Sequence, residues 1–275
     1  MKTQASDIFT GNPSMNGRGL VKLKCETMEL TDGLEKLQQV ISLKEIASMI
    51  ERTAMWVSPD TFRLLPVWFP EYSRGSLFYK ENWSKKQTNT DRVTGQSIHK
   101  SEANTHASTA LTLALGLRSK QRPNWSCCHI WGIDDPKFQL SNIVVRDNRF
   151  FSCVANMVLL PTPLKAFTDA WPEIKVMLRV CAKNLYEWEC DHEALRSAHR
   201  EVKNWNNWDA YPASWPKCPK ERRPTGTIEL SPLIRESAEK RLSDIRRDLR
   251  EAGPFYPQKQ VLDALKYWKI ASQIK

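Results

Sequence analysis

A chain of 275 residues is long enough to bury one sizeable core or two small ones, and 41% hydrophobic with 26% charged content excludes wholesale disorder. Lys and Arg outnumber Asp and Glu by 41 to 31, a formal charge of +10, so the surface favours phosphate polymers over basic partners. No apolar run approaches the roughly 18 residues that span a bilayer, and the first residues lack the apolar core of a secretion signal, so the expected compartment is the cytoplasm and no membrane partner is expected.

Residues 1–30 carry Gly, Asn, Ser and Pro without a sustained period and predict a partly ordered arm. Thr31 or Asp32 can cap a helix whose stripe is Leu34, Leu37, Ile41, Ile46 and Ile50, interrupted by Ser42. Residues 56–83 turn irregular and aromatic, and Pro59, Pro66 and Pro70 exclude a long helix. Burial is the expected use of Trp68, Phe69 and Tyr72, the other being to stack on unpaired bases. Residues 84–105 are polar and read as an exposed loop holding His99, and His106 opens a short helix that ends before Arg122 and Pro123.

Residues 125–160 read as strand, long loop, strand: WSCCHIWG, then IDDPKFQLSNIVVRDNR, then FFSCVANMVLL. Pro172 suits the first turn of a helix with Ile174, Met177, Leu178, Cys181 and Leu185 on one face. Residues 188–224, with the basic run KCPKERRP, predict a hinge or a surface. Residues 229–251 predict an exposed helix striped by Leu233, Ala238, Leu242, Ile245 and Leu249. A final helix carries Val261, Leu262, Leu265 and Trp268. The expected fold class is α+β, a mainly helical body with a central ββα element, divided into an arm (1–30), a helical and aromatic region (31–120), the core (121–190) and a basic helical region (191–275).

The centre carries the candidate chemistry. Cys128-His129-Ile130-Trp131 closes the first strand, and Asn156 follows 27 residues after His129 within Ala155-Asn156-Met157-Val158-Leu159-Leu160-Pro161. In that order and frame, the two segments resemble the first and second motifs of the HNH (ββα-metal) endonuclease family, a likeness that covers residues 125–188. The resemblance implies a metal-dependent endonuclease that hydrolyses DNA phosphodiester bonds, with His129 as the general base and Asn156 bracing the loop behind it. Such chemistry needs a water deprotonated near neutral pH, and a neutral imidazole can take that proton. The resemblance also implies a hard divalent ion, Mg²⁺ with Mn²⁺ as a substitute, on oxygen ligands. Here the chain departs from the family pattern. Cys128 stands where an acid is common, and the third motif has no clear match in KAFTDAWPE. Asp169 is the best substitute, with Asp135, Asp134 and Glu173 behind it.

Seven scattered cysteines read as reduced thiols. Structural Zn²⁺ on Cys127, Cys128 and Cys153 with Cys190, His192 or Cys218 is the lesser reading, because no CxxC pair is present. Asp191, His192 and His199 could share one helical face and bind metal, but solvent-exposed helix residues are the expected reading. Arg222, Arg223, Arg246, Arg247 and Arg250 are candidates for phosphate contacts, although the alternation with acids equally suits a solvated face. By analogy the enzyme would serve bacterial restriction or phage defence beside a cognate DNA methyltransferase, and identical half-sites would imply a homodimer. The alternatives are a non-catalytic nucleic-acid-binding or regulatory protein that retains the fold, and a nuclease directed at RNA.

Overall fold

The computed structural model describes residues 32–133 and 141–270. The arm expected over residues 1–30 lies outside them, as do Cys25, Asp134 and Asp135. The first predicted stripe forms two helices, α1 (Gly33–Gln38), capped by Asp32, and α2 (Leu43–Thr53). Ser42 is the reason for the break. Its hydroxyl accepts from the Glu45 amide while the Glu45 carboxylate accepts from the Ser42 amide, a capping box that starts a new helix. Ile46 and Ile50 are fully buried, whereas α1 buries none of its residues.

The chain continues through β1 (Trp56–Val57) and α3 (Pro59–Leu64), which has Ser58 as its cap and Pro59 in its first turn. Trp68 is fully buried, Phe69 lies half-buried against the core, and Tyr72 stacks on His106, so these rings serve packing. The polar stretch expected as a loop is folded. There β2 (Tyr79–Lys80) pairs antiparallel with β3 (Lys85–Lys86), and β4 (Thr88–Thr90) with β5 (Ser97–His99). The turn supplies the order that hydropathy does not. Asp91 Oδ1 accepts from the Val93 and Thr94 amides, and Gly95 takes the left-handed φ of 69°. Then α4 (Thr105–Ala114) follows where it is expected.

At the centre β6 (Trp125–His129) pairs antiparallel with β7 (Met157–Pro161), placing Cys128 opposite Val158 and His129 opposite Met157. The second strand begins later than expected, because residues 150–156 form turns and a short 3-10 segment. Met55 covers the other edge of β7 by exchanging backbone hydrogen bonds with Leu159 at 2.9 and 3.1 Å. Next come α5 (Thr162–Ala170) and α6 (Pro172–Tyr186), and the predicted face of α6 is buried throughout.

The segment read as a hinge or a surface is divided: the basic run 217–223 is exposed, as expected, whereas α7 (Arg196–Lys203) packs through Ala198 and Val202, and Trp215 lies edge-on against Trp56, both buried. β8 (Thr227–Ile228) then runs parallel to β1. A Cβ on Gly226 would lie 1.8 Å from the Ala54 carbonyl oxygen, so no other residue fits this crossing. Gly226→Ala is expected to cost about 3 kcal/mol by forcing the two backbones apart, read as a lower thermal midpoint.

Helix α8 (Pro232–Glu251) corrects its predicted stripe: Ile234 is buried and Leu233 is exposed. Its buried Arg241 donates to the Trp68 carbonyl at 2.6 Å and pairs with Glu71, tying α8 to the aromatic segment. Helix α9 (Gln258–Tyr267) buries Val261, Ala264 and Leu265 and leaves Leu262 outside. One hydrophobic cluster runs from Ile46 to Ile270, so the described parts of the three regions drawn over 31–275 share a core. The class is α+β, helices around small sheets. Among the described residues no helix is long and apolar enough to cross a membrane.

Candidate active site

Strand β6 delivers His129 at its last position, where the chain leaves the hairpin. The ring Nε2 lies 2.8 Å from the Phe151 carbonyl oxygen. A carbonyl only accepts, so Nε2 carries the proton, and Nδ1 keeps its lone pair with no hydrogen-bond partner among the described residues. Burial drives the imidazole pKa down to about 4; the Phe151 bond opposes this, and the charges of Arg74, Lys175 and Lys165 reinforce it. The ring is neutral at pH 7.

That depression has a consequence for stability. Between the folded pKa of about 4 and the ordinary value of 6.5 the unfolded chain binds more protons than the native one. The stabilisation is therefore complete above pH 6.5 and is lost as pH falls through 4, a total of about 3 kcal/mol. Urea midpoints measured between pH 8 and 4 are expected to fall more steeply for the native chain than for His129→Gln, which has no proton to take up.

Asn156 grips the chain just beyond the imidazole. Its carbonyl accepts from the Ile130 amide at 2.8 Å, its Oδ1 from the Trp131 amide at 2.6 Å, and its Nδ2 donates to the Phe150 carbonyl at 3.1 Å. Arg179 on α6 holds the same stretch from the other side. This buried guanidinium donates to the carbonyls of Ile130 and Gly132 at 3.3 and 2.9 Å and meets Glu201 at 3.4 Å. Sequence reasoning missed Arg179. Its signal was a cation set among the apolar residues Met177, Leu178 and Cys181.

The electrostatics around the hairpin end are cationic. Lys175 is buried on the first part of α6, Lys165 pairs with Asp169 at 2.5 Å on α5, and half-buried Arg74 donates from Nε to the Ala103 carbonyl at 3.1 Å. Burial pushes the Cys128 thiol up to about 11 against the pull of Lys175 and Lys165, so it is protonated and soft. Asp169 is engaged by Lys165. Among the described residues no three His, Cys, Asp or Glu side chains come together as a metal site. Of the described candidates, the protonated Cys128 thiol and the ion-paired Asp169 do not make a site for a hard dication, and the zinc candidates form no group of three among the described residues. His192 accepts from the Ala194 amide at 3.1 Å, and His199 Nε2 bonds to the Cys190 carbonyl at 2.7 Å.

The five candidate arginines do not converge on His129. Arg223 pairs with Asp60 and Glu229, Arg222 with Glu221, and Arg247 with Asp244 and Asp248. Arg246 is half-buried, and Arg250 is exposed at the end of α8. Arg222 and Arg223 line a cleft with Glu187, just past the end of α6 and about 18 Å along that helix from Lys175. Sequence reasoning also missed Glu102. Its buried carboxylate accepts from the Thr105 and His106 amides at the start of α4 and pairs with the His106 ring. His106 in turn lies flat on Tyr72, centroids 3.5 Å apart. Comparison of the chain with protein-family models, curated proteins and solved structures yields no match.

Proposed function

We propose that the chain hydrolyses phosphodiester bonds in DNA with His129 as the general base. The observation that carries this reading is the anchored imidazole: Nε2–H is fixed on the Phe151 carbonyl, which leaves Nδ1 as a proton acceptor on a ring that is neutral at pH 7. The hairpin-then-helix order and the Asn156 clamp support the likeness to HNH endonucleases. In the reaction Nδ1 takes a proton from water, the water oxygen forms the new bond to phosphorus, and the P–O bond to the leaving nucleotide breaks as its oxygen takes up a proton from solvent. The charges of Arg74, Lys165 and Lys175 act on the ring, Lys165 from within its ion pair with Asp169, and a phosphate would be met in their field. No step here is assigned to a metal.

Purified protein incubated with supercoiled plasmid is expected to nick and linearise it. The assay is run with Mg²⁺, with Mn²⁺ and with a chelator, because the resemblance implies a divalent ion that the described donors do not accommodate. Retained DNA with no cutting under any metal would favour the non-catalytic binder, for which the covered His129 ring and the protonated Cys128 speak. Degradation of RNA alone would mark a nuclease of different substrate. Service in restriction or phage defence belongs to the same reading, and a DNA methyltransferase encoded beside the gene would support it.

A further inference from the structure

We propose that the β4–β5 ribbon enters the major groove of B-form DNA and reads base edges, which rests on the DNA reading above. Every residue of both strands is exposed, so neither face of the ribbon packs on the body. A two-stranded ribbon without a buried face is marginal by itself. This one is held at its base. The Phe78 amide donates to the Lys100 carbonyl at 2.9 Å and the Gln87 amide to the Phe78 carbonyl at 2.8 Å, with Phe78 buried between Tyr72 and His106. The preceding turn is pinned from the C-terminal part of the chain, where the Gly253 and Phe255 amides donate to the carbonyls of Asn82 and Trp83 at 2.7 and 3.1 Å.

The charge and chemistry of the ribbon choose its partner. Over residues 80–100 the cations are Lys80, Lys85, Lys86, Arg92 and Lys100, against Glu81 and Asp91. Asp91 directs its carboxylate into the turn, and Glu81 lies 3.9 Å from Lys85. The projecting part carries Asn89, Arg92 and Gln96, the side-chain types that pair with adenine and guanine edges. Asn89 stands opposite Ile98, whose exposed side chain suits a thymine methyl. Two strands about 5 Å apart with their side chains fit a major groove about 12 Å wide, whereas the deep, narrow groove of A-form RNA does not admit them.

The test is selection from a pool of DNA duplexes with a randomised centre, using the full chain and the triple variant Asn89→Ala, Arg92→Ala, Gln96→Ala. The three side chains lie outside the core, so equal melting midpoints verify the fold. The native chain is expected to enrich a sequence that it binds at least about tenfold tighter than the starting pool, and the variant to lose that preference. Equal enrichment by both proteins overturns the ribbon's role and leaves the DNA reading standing. No binding of any duplex by the native chain overturns both. Enrichment from an RNA duplex pool alone also overturns the groove assignment.

Discussion

His129→Gln is expected to lower phosphodiester cleavage by about 10²–10⁴-fold while the protein stays folded. Glutamine keeps an amide N–H that can donate to the Phe151 carbonyl, so the anchor at 2.8 Å has a replacement. What is removed is the lone pair at Nδ1. The melting midpoint near neutral pH should therefore move little, and single-turnover cutting of a labelled duplex should collapse. In the native chain the cutting rate is expected to hold from pH 8 to about pH 5 and to drop as the ring protonates near 4. Undiminished cutting by the variant would place the base elsewhere.

Asn156→Leu is expected to destabilise the fold by about 4 kcal/mol, because the similar volume leaves two buried backbone groups without partners. The Trp131 N–H loses Oδ1 and the Phe150 carbonyl loses Nδ2. Each unsatisfied group costs about 1–3 kcal/mol, a large share of a typical stability of about 5–15 kcal/mol. Urea unfolding measures it. The same loss frees the Trp131 amide, two residues past the imidazole, while the backbone bond from Ile130 to residue 156 stays, so any cutting activity should decline before the fold is lost. A cost below about 1 kcal/mol would mean that the amide does not act as the clamp.

The order of the central elements was legible because its signals are local. Pro172 at a first turn and the Ile174, Met177, Leu178, Cys181 and Leu185 face mark α6 without tertiary information. For Asn156 the resemblance alone pointed to a bracing role, and the partners of its side chain, the Trp131 amide and the Phe150 carbonyl, appear only in the fold. The β4–β5 ribbon was not, because Thr88-Asn89-Thr90 and Ser97-Ile98-His99 lack the apolar alternation that betrays a half-buried strand. The break at Ser42 was visible as an interruption, but its meaning lay in the reciprocal bond with Glu45. Arg74 and Arg179 were illegible for a different reason. Each donates to a backbone carbonyl distant in sequence, whereas Glu102 caps the nearby start of α4, and only packing shows that these charged side chains have gone inward. The surplus of positive charge was plain, but its distribution was not: the arginines of residues 222–250 pair largely with local acids, and near the hairpin end Lys165 does the same with Asp169 while Arg74 donates to the Ala103 carbonyl.

The most direct measurement is a long-range ¹⁵N–¹H NMR titration of the His129 ring. The expected spectrum has a protonated Nε2 and an unprotonated Nδ1 from pH 8 down to pH 5, with titration near 4. A proton on Nδ1 would contradict an imidazole oriented by Phe151 with Nδ1 as the acceptor, and titration at the ordinary value near 6.5 would contradict its burial.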